Sequence, residues 1–294
     1  MIKPVKNEKA AEIVGLAFGD GSLTTRKNER LRFQMRGHIE ENQFYNVHVI
    51  PLLNNNLGHV CTTHYQGKKP YYGIYSERKD FCNSLRLLGV PTGVKKNLTI
   101  PSWIKSNKTY LIAFIRGLVD TDGSVFCGKD YNHPELPHKK IRMSIGSVSA
   151  QFILEISMAL KSLGVHNLIL KPFKQRDPKH GNLNKIQIDT RNVADYFDII
   201  GSNNVKHTSK YDVWRKFGFC PPYTSINQRL LMLERNPLTP TITLNAEVAE
   251  PGQMRKFIPK RLVEETSVTN ALSLSGCEGS NIQKGCESPF LRIY

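Results

Sequence analysis

The sequence lacks the features of a membrane or secreted protein. None of its apolar runs approaches the about 20 residues that a bilayer-spanning helix needs. Its first ten residues, MIKPVKNEKA, contain no apolar core of the kind found in secretory signals. We therefore expect no membrane partner and an intracellular protein, either in the cytoplasm of a prokaryote or inside an organelle.

Several common site motifs are also missing. The six cysteines include no C-x-x-C pair, so neither a zinc finger nor a disulfide framework is indicated, and we interpret them as reduced structural thiols. The nine histidines form no H-E-x-x-H spacing, and no G-x-x-x-x-G-K-S/T loop is present. These absences argue against a histidine metal site and against a P-loop nucleotide site.

Acidic residues are scarce relative to basic ones. The 294 residues contain 41 Lys and Arg against 25 Asp and Glu, a formal net charge of +16. Residues 230–294 hold seven of each, so the whole excess lies before them. A polyanion is the expected partner of this basic body. Residues 223–294 are rich in Pro, Ser, Gly and Thr, and we interpret them as a tail of unknown role.

The basic body contains an internal repeat. Residues 13–24, IVGLAFGDGSLT, recur as IRGLVDTDGSVF at 115–126, 102 positions later. RLRFQMRGH at 30–38 then corresponds to KIRMSIGSV at 140–148. LLGVPTGVKK at 87–96 corresponds to DIIGSNNVKH at 198–207, which places Lys95 opposite Lys206. We predict two homologous repeats, at residues 8–105 and 106–222.

Hydrophobic periodicity predicts the order αββαββα in each repeat and an α+β fold. RLRFQMR alternates strictly, as do the matching strands of the second repeat, so each sheet should have one apolar face and one cationic face. A helix after residue 150 carries an apolar stripe that can cover the apolar face. The polar faces present Arg30, Arg32, Gln34, Arg36, Lys140, Arg142, Ser144, Lys185 and Gln187.

Each repeated helix ends at Asp-Gly, where free carbonyls and the helix dipole create negative potential. Carboxylates at such ends, Asp20 and Asp122, suit a hard cation such as Mg²⁺. The following Gly21 and Gly123 can adopt the left-handed conformation that stops a helix. Small residues one turn apart, Gly15 with Gly19 and Gly117 with Thr121, would let the two helices pack and bring the acids together. That layout is plausible for metal-assisted cleavage of both strands of a duplex.

IVGLAFGDG and IRGLVDTDG resemble the two motif copies of LAGLIDADG homing endonucleases of the single-chain type, over about residues 8–222. The resemblance implies a monomer in which an antiparallel β saddle binds double-stranded DNA and the motif helices pack at the centre. It also implies that Asp20 and Asp122, with the carbonyls of Gly19 and Thr121, bind Mg²⁺ or Mn²⁺. Such enzymes cut a long asymmetric target and leave 3′ overhangs.

The resemblance further assigns Lys95 and Lys206 to the two active sites, with Lys96 competing for the place of Lys95. Base contacts are expected from Arg32, Gln34, Arg36, Arg142 and Ser144. Phosphate contacts are expected from Arg26, Lys27, Lys68, Lys69, Lys139, Lys174 and Lys179. Two departures stand out: the sixth motif position is Phe18 in one copy and Asp120 in the other, and Gly37 and Ser147 replace a polar Gln at the second strand.

Alternative functions share this fold. An RNA splicing maturase would bind intron RNA, and a DNA-binding regulator would bind without cutting, but both usually lose the acids that are present here. An intein would need a terminal His-Asn pair, whereas this sequence ends in LRIY. We therefore expect a free-standing, intron-encoded enzyme.

Overall fold

The computed structural model describes residues 4–26, 29–68, 70–128, 138–174 and 181–234. Within these residues the chain forms two four-stranded antiparallel sheets with helices packed against them, an α+β architecture. The strand order is the same in both sheets, β1-β2-β4-β3 and β5-β6-β8-β7. The predicted fold class and the predicted αββαββα order of each repeat are confirmed.

The first repeat contains four strands and four α-helices. In chain order they are α1 (Glu8–Phe18), β1 (Gly21–Thr25), β2 (Leu31–His38), α2 (Asn42–Phe44), α3 (Ile50–Asn56), β3 (Cys61–Tyr65), β4 (Tyr71–Ser76) and α4 (Lys79–Leu88). A 3₁₀ turn, Ile39–Glu41, precedes α2, and a π-helical segment, Tyr45–Val49, joins α2 to α3. The second repeat has a single helix at the corresponding place.

The remaining elements follow a short helix, α5 (Ser102–Lys105). They are α6 (Lys108–Asp122), β5 (Gly123–Gly128), β6 (Lys140–Ser147), α7 (Ala150–Ser162), β7 (Leu168–Lys174), β8 (Asn182–Ile188), α8 (Thr190–Ile199), α9 (Val205–Phe217) and α10 (Ile226–Glu234). The sequence did not predict α10, which packs against α9.

Local sequence explains where the long helices begin and end. Asn7 and Asn107 accept hydrogen bonds from main-chain amides in the first turns of α1 and α6, and Ser149 does the same for α7. Helix α7 is followed by Leu163-Gly164, where Gly164 has a φ of +92°, and the chain continues into β7.

The alternating strands divide into an inner and an outer face as predicted. Phe33 and Met35 of β2 are buried, as are Ile141, Met143 and Ile145 of β6. Helix α7 covers the inner face of the second sheet with its predicted apolar stripe. The polar side chains between these residues are therefore directed away from the core.

The core is continuous between the repeats because α1 and α6 pack together. Three aromatic rings meet there: the centroid of Phe18 lies 5.4 Å from that of Phe114 and 5.7 Å from that of Phe152. Phe18, at the variable sixth motif position, is thus a core residue. None of the helices in the described ranges is both long and apolar enough to cross a membrane.

Candidate functional site

Helices α1 and α6 approach so closely that glycine is required at their contact. A Cβ atom on Gly15 would overlap the carbonyl oxygen of Phe114, and one on Gly117 would lie 2.9 Å from the amide nitrogen of Leu16. One turn further on, a Cβ on Gly19 would overlap the hydroxyl of Thr121. The predicted contact between small residues brings the carboxyl ends of both helices together.

Each helix end is followed by a strand within two residues. Helix α1 ends at Phe18, and Asp20 follows just before β1, whereas Asp122 is itself the last residue of α6. The prediction that Gly21 and Gly123 adopt the left-handed conformation is wrong: Gly123 is extended, with φ −74°, and Gly21 has no positive φ. These glycines are needed for space, since a Cβ on Gly21 would lie 2.5 Å from the Cα of Ala17.

Asp20 and Asp122 face the same negatively charged region. Burial, together with the charges of Asp122 and Glu41, raises the pKa of Asp20 to about 7 against the opposing effect of the Lys206 and Lys95 ammonium groups. Loss of hydration also raises the pKa of Asp122, and Lys95 opposes that shift. The site therefore brings three acids, Asp20, Asp122 and Glu41, close to two lysines, Lys95 and Lys206.

Lys95 and Lys206 both reach this region but have different partners. Lys95 Nζ donates hydrogen bonds to the carbonyls of Phe18, at 2.8 Å, and Gly19, at 2.5 Å. Burial lowers the pKa of Lys95, although Asp122 and Asp20 oppose the shift. Lys96 is exposed. The structure therefore places Lys95, rather than Lys96, at the end of α1.

Glu41 is a buried acid beside Asp20 that the sequence analysis missed. Its Oε1 accepts from Asn204 Nδ2 at 2.8 Å and lies 3.4 Å from Lys206 Nζ, while its Oε2 accepts from the main-chain amide of His38 at 2.8 Å. Glu41 also occupies the space beside Gly37, where a Cβ would lie 2.9 Å from Glu41 Oε2. The sequence did contain one signal for a structural role of Glu41: it lies three residues after His38, the spacing of a capping box, and the two residues form such a box after β2.

Tyr45 lies next to Glu41, in the π-helical segment. Its ring is buried, and its hydroxyl is buried without a hydrogen-bond partner among the described residues. Burial raises the pKa of this phenol, and the charges of Asp20 and Glu41 add to the effect. π-helical turns often occur at functional sites, and this one places an uncharged donor beside the acids.

Asp120 holds the loop before α9 in place. Its Oδ1 accepts from Ser202 Oγ at 2.5 Å, its Oδ2 accepts from the amide of Asn203 at 3.0 Å, and its carbonyl accepts from Asn204 Nδ2 at 2.7 Å. Burial raises its pKa to about 7. Asp120 is fully buried, and both of its carboxylate oxygens accept hydrogen bonds from the loop before α9. Through these hydrogen bonds Asp120 fixes the loop that leads into α9, and thereby the start of the helix that carries Lys206.

The donor atoms fit a hard divalent cation. Within the part of the chain that the structure describes, no group of three or more His, Cys, Asp and Glu side chains could hold a metal ion. A cation would instead use the carboxylates of Asp20 and Asp122 and main-chain oxygens, including those of Gly19 and Thr121. Such an ion would favour the ionised form of Asp20, whose pKa is raised by burial and by the neighbouring acids.

The outer face of the first sheet is both basic and aromatic. The guanidinium of Arg36 lies 4.7 Å from the ring centroid of Tyr71, and that of Arg32 lies 4.8 Å from that of Tyr75. Arg32 also pairs with Glu77 at 3.3 Å. The other predicted contacts in this half, Arg26, Arg30, Gln34 and Lys68, are exposed or half-buried. Sequence reasoning missed the tyrosines, which hold the arginines in place.

The outer face of the second sheet has a different composition. Arg142 Nε lies 3.6 Å from Asp189, which also accepts from Gln187 at 2.7 Å, and Lys185 stacks on Phe173 at 5.3 Å. The other predicted contacts are Lys139, Lys140, Ser144 and Lys174, all at least partly exposed. Lys27, Lys69 and Lys179 lie outside the described residues.

Comparisons with known proteins find a family model that matches one part of the chain. Residues 109–206 match the family described as LAGLIDADG-like domain. The DNA-directed RNA polymerase subunit Rpo1N of Methanocaldococcus jannaschii is 25% identical over 294 residues, which cover 88% of this chain and 20% of that protein. The chain thus spans about a fifth of the length of this relative.

Two solved structures that are similar to this chain contain DNA. The structure of I-DmoI in complex with DNA and Mn is 20% identical and has a TM-score of 0.44, covering 66% of this chain and 96% of that one. I-SmaMI bound to an uncleaved DNA target in the presence of calcium ions is 13% identical and has a TM-score of 0.47, covering 78% and 98%.

Proposed function

We propose that this protein is a site-specific, metal-dependent endonuclease that cuts double-stranded DNA, a proposal that the match of residues 109–206 to the family described as LAGLIDADG-like domain supports. The observation that carries the proposal is the meeting of two helix ends that present Asp20 and Asp122 to one another, between two sheets with basic outer faces. A metal-assisted nuclease that cuts both strands needs acids at a central point and cationic surfaces on either side.

The acids have a direct role in this proposal. Asp20 and Asp122 would bind Mg²⁺ or Mn²⁺ together with the carbonyls of Gly19 and Thr121. When bound, the metal would supply an activated water and neutralise charge at the scissile phosphate. Because Asp20 has a pKa of about 7 without metal, it binds a cation best when it is ionised.

The lysines hold positive charge next to the reacting phosphates. Lys95 lies against the end of α1, and Lys206 is held by Glu41 from the other repeat. Each ammonium can stabilise negative charge that develops on phosphate oxygens. Since Lys206 is held by the Glu41 carboxylate and Lys95 by main-chain carbonyls, the two active sites would differ in the way their lysine is fixed.

The sheets would supply recognition of the target. Arg32, Gln34, Arg36, Arg142 and Ser144 lie on outer faces and would read base edges, while peripheral lysines would contact phosphates. The two faces differ in composition, so the target would be asymmetric. We further propose that the enzyme is an intron-encoded monomer that acts inside the cell and leaves 3′ overhangs.

The test is cleavage of a randomised duplex library by the purified full-length protein, with Mg²⁺ or with EDTA, followed by sequencing of the ends. We expect discrete, metal-dependent ends with short 3′ overhangs at one asymmetric site. Asp20→Asn and Asp122→Asn should abolish cleavage and retain binding to that site. Asp80→Asn, which changes an exposed acid in α4, is the matched control and should cut normally.

Absence of cleavage would contradict the proposal if the protein bound a duplex selectively in the presence of Mg²⁺. Selective binding to duplex DNA would then indicate a regulator. Selective binding to structured RNA would indicate a maturase, with intron RNA as the partner.

A further inference from the structure

The loop that precedes α9 is joined to both repeats through one buried side chain, that of Asn204. Its Nδ2 donates to Glu41 Oε1 at 2.8 Å and to the carbonyl of Asp120 at 2.7 Å. Its Oδ1 accepts from the main-chain amide of Lys206 at 3.0 Å and so caps the start of α9. An acid of the first repeat, the last turn of α6 and the lysine of the second repeat are thus connected at a single residue.

The neighbouring residue, Asn203, makes a second contact with the first repeat. Its Nδ2 donates to Glu12 Oε1 in α1 at 2.8 Å and lies 3.1 Å from Nε2 of His48, in the π-helical segment. Its main-chain amide donates to Asp120 Oδ2 at 3.0 Å. Two consecutive residues of the second repeat are therefore held by the first repeat, which fixes the loop before α9 relative to Glu41.

Glu41 gives the side chain of Lys206 a fixed acceptor. Only 6% of the Glu41 side chain is exposed, and its two oxygens already accept from the main-chain amide of His38 and from Asn204. Lys206 Nζ lies 3.4 Å from Glu41 Oε1, yet 37% of the Lys206 side chain is exposed. The ammonium therefore has a rigid partner within the protein and remains open to a phosphate from solvent.

Lys95 is supported within its own repeat instead. Its Nζ donates to the carbonyls of Phe18 and Gly19, at the end of α1. The helical segment that supplies Glu41 follows β2, whereas only Val148 and Ser149 separate β6 from α7, and neither is acidic. The two lysines thus occupy matching positions in the repeats but depend on different parts of the fold for their orientation.

We propose that Glu41 is a positioning residue, which orients the Lys206 ammonium across the boundary between the repeats, so that cleavage of one DNA strand depends on Glu41 and cleavage of the other does not. The inference rests on the proposed nuclease function, in which each lysine serves one of the two active sites. Glu41 acts through Lys206 and does not itself contact the DNA. Because a displacement of about 1 Å at such a group can slow a reaction by on the order of a hundredfold, loss of Glu41 should be felt at one strand.

The experiment measures the two strands separately. The full-length protein, in excess over its cognate duplex, cuts DNA whose strands carry different fluorophores, and both rates are followed in Mg²⁺. Lys206→Met should slow one strand more than the other and so identifies the strand that Lys206 serves. Glu41→Gln should slow the same strand by about tenfold or more and change the other rate by less than about twofold.

A double variant separates positioning from a direct effect of the Glu41 charge. If Glu41 acts through Lys206, adding Glu41→Gln to Lys206→Met should cause no further slowing of that strand. Glu41→Asp keeps the charge but withdraws the carboxylate by one methylene, so it should slow the same strand. It also serves as the test variant if Glu41→Gln fails to fold.

Glu155→Gln is the matched control, because Glu155 in α7 makes the same kinds of contact. Its carboxylate accepts from the main-chain amide of Ile100 at 2.8 Å and lies 3.6 Å from Lys105 Nζ. We expect this variant to cut both strands at the parent rates. Selective slowing of one strand by Glu155→Gln would show that any lost carboxylate has this effect, and would overturn the proposal.

Three further results would also overturn it. They are equal slowing of both strands by Glu41→Gln, equal slowing of both strands by Lys206→Met, and further slowing in the double variant. Each of them leaves the nuclease function intact, since the parent still cuts the duplex. If the parent itself cut neither strand, the proposed function and the role of Glu41 would fall together.

Discussion

The ammonium nitrogen of Lys95 lies 2.5 Å from the carbonyl oxygen of Gly19, at the carboxyl end of α1. A lysine there neutralises the negative end of the helix dipole. The matching lysine of the second repeat, Lys206, instead donates to Glu41 Oε1 at 3.4 Å, and among the described residues no lysine is hydrogen-bonded to the last carbonyls of α6. Equivalent positions in the sequence thus have different roles, and Lys95 competes with any cation that binds the Gly19 carbonyl.

Lys95→Met should therefore affect both stability and activity. Without metal, we expect the free energy of unfolding to fall by about 1–2 kcal/mol because two carbonyls lose their charged donor. Mg²⁺ should stabilise the variant more than the parent, because in the variant the ion does not compete with the Lys95 ammonium for the Gly19 carbonyl. Chemical denaturation with and without Mg²⁺ measures this, and cleavage of the cognate duplex should be strongly slowed.

Lys96→Met is the control, because Lys96 is exposed and adjacent. We expect neither the stability nor the cleavage rate to change measurably. If Lys96→Met lost cleavage and Lys95→Met retained it, the assignment of the active-site lysine would be reversed.

The contact between α1 and α6 gives a stability prediction. In Gly15→Ala, the new methyl would overlap the carbonyl of Phe114 and lie 2.9 Å from the amide nitrogen of Leu118, so the helices must separate. We expect a loss of about 3 kcal/mol or more in denaturant titrations. Gly128→Ala should be tolerated, since the nearest atom to its Cβ is 3.6 Å away. Equal losses in the two variants would contradict the close packing.

Features that repeat along the chain were the ones that the sequence could predict. The duplicated motif, the alternation in β2 and β6 and the apolar stripe of α7 all depend on local periodicity, and the structure contains them. The left-handed glycines were predicted from helix-stop chemistry and were wrong, because both glycines are the first residues of strands: β1 starts at Gly21 after a two-residue turn at Gly19 and Asp20, and β5 starts at Gly123 directly after α6. Rules for helix ends consider the backbone conformation of the glycine. They did not account for the space that Gly21 and Gly123 leave for the preceding helical turn, which a Cβ would contact at Ala17 and Val119.

Glu41 could not be predicted because its role depends on residues about 160 positions away. It lies in a helical segment with no counterpart in the second repeat, where Ser149 caps α7 soon after β6. Its partners Asn204 and Lys206 come from the other repeat. Pairings of this kind arise from tertiary packing and leave no periodic signal in one sequence.

Glu12 gives a prediction for pH dependence. This buried carboxylate accepts from Arg116 at 2.8 Å and lies 2.6 Å from His48 Nε2. Burial raises its pKa, but the hydrogen bonds from His48 and Arg116 outweigh burial, so the pKa lies below its ordinary value of 4.5. A lowered pKa means that its stabilising effect is present above about pH 4.5 and is lost as the pH falls through the folded-state value.

Glu12→Gln should therefore destabilise the protein by about 2–3 kcal/mol at pH 7, because Arg116 loses a charged partner. The difference from the parent should shrink as the pH falls below 4. Urea titrations of both proteins at several pH values measure it. A difference that is constant with pH would show that the ionised form of Glu12 contributes nothing.

Arg36 tests whether the outer face of the first sheet recognises the target. Its guanidinium is held over Tyr71 and lies 3.5 Å from Gln34 Oε1, which directs it away from the core. We expect Arg36→Ala to weaken binding to the cognate duplex by about tenfold or more and binding to a random duplex by less, because an arginine that reads a base contributes chiefly to the specific complex. Fluorescence anisotropy without divalent metal measures both affinities.

Lys161→Ala is the control, since Lys161 is exposed on α7, which covers the inner face of the second sheet. If Arg36→Ala weakened binding to the cognate and the random duplex equally, Arg36 would contact phosphate rather than a base. If Arg36→Ala and Lys161→Ala had equal effects on binding, the outer face of the first sheet would not be part of the DNA interface.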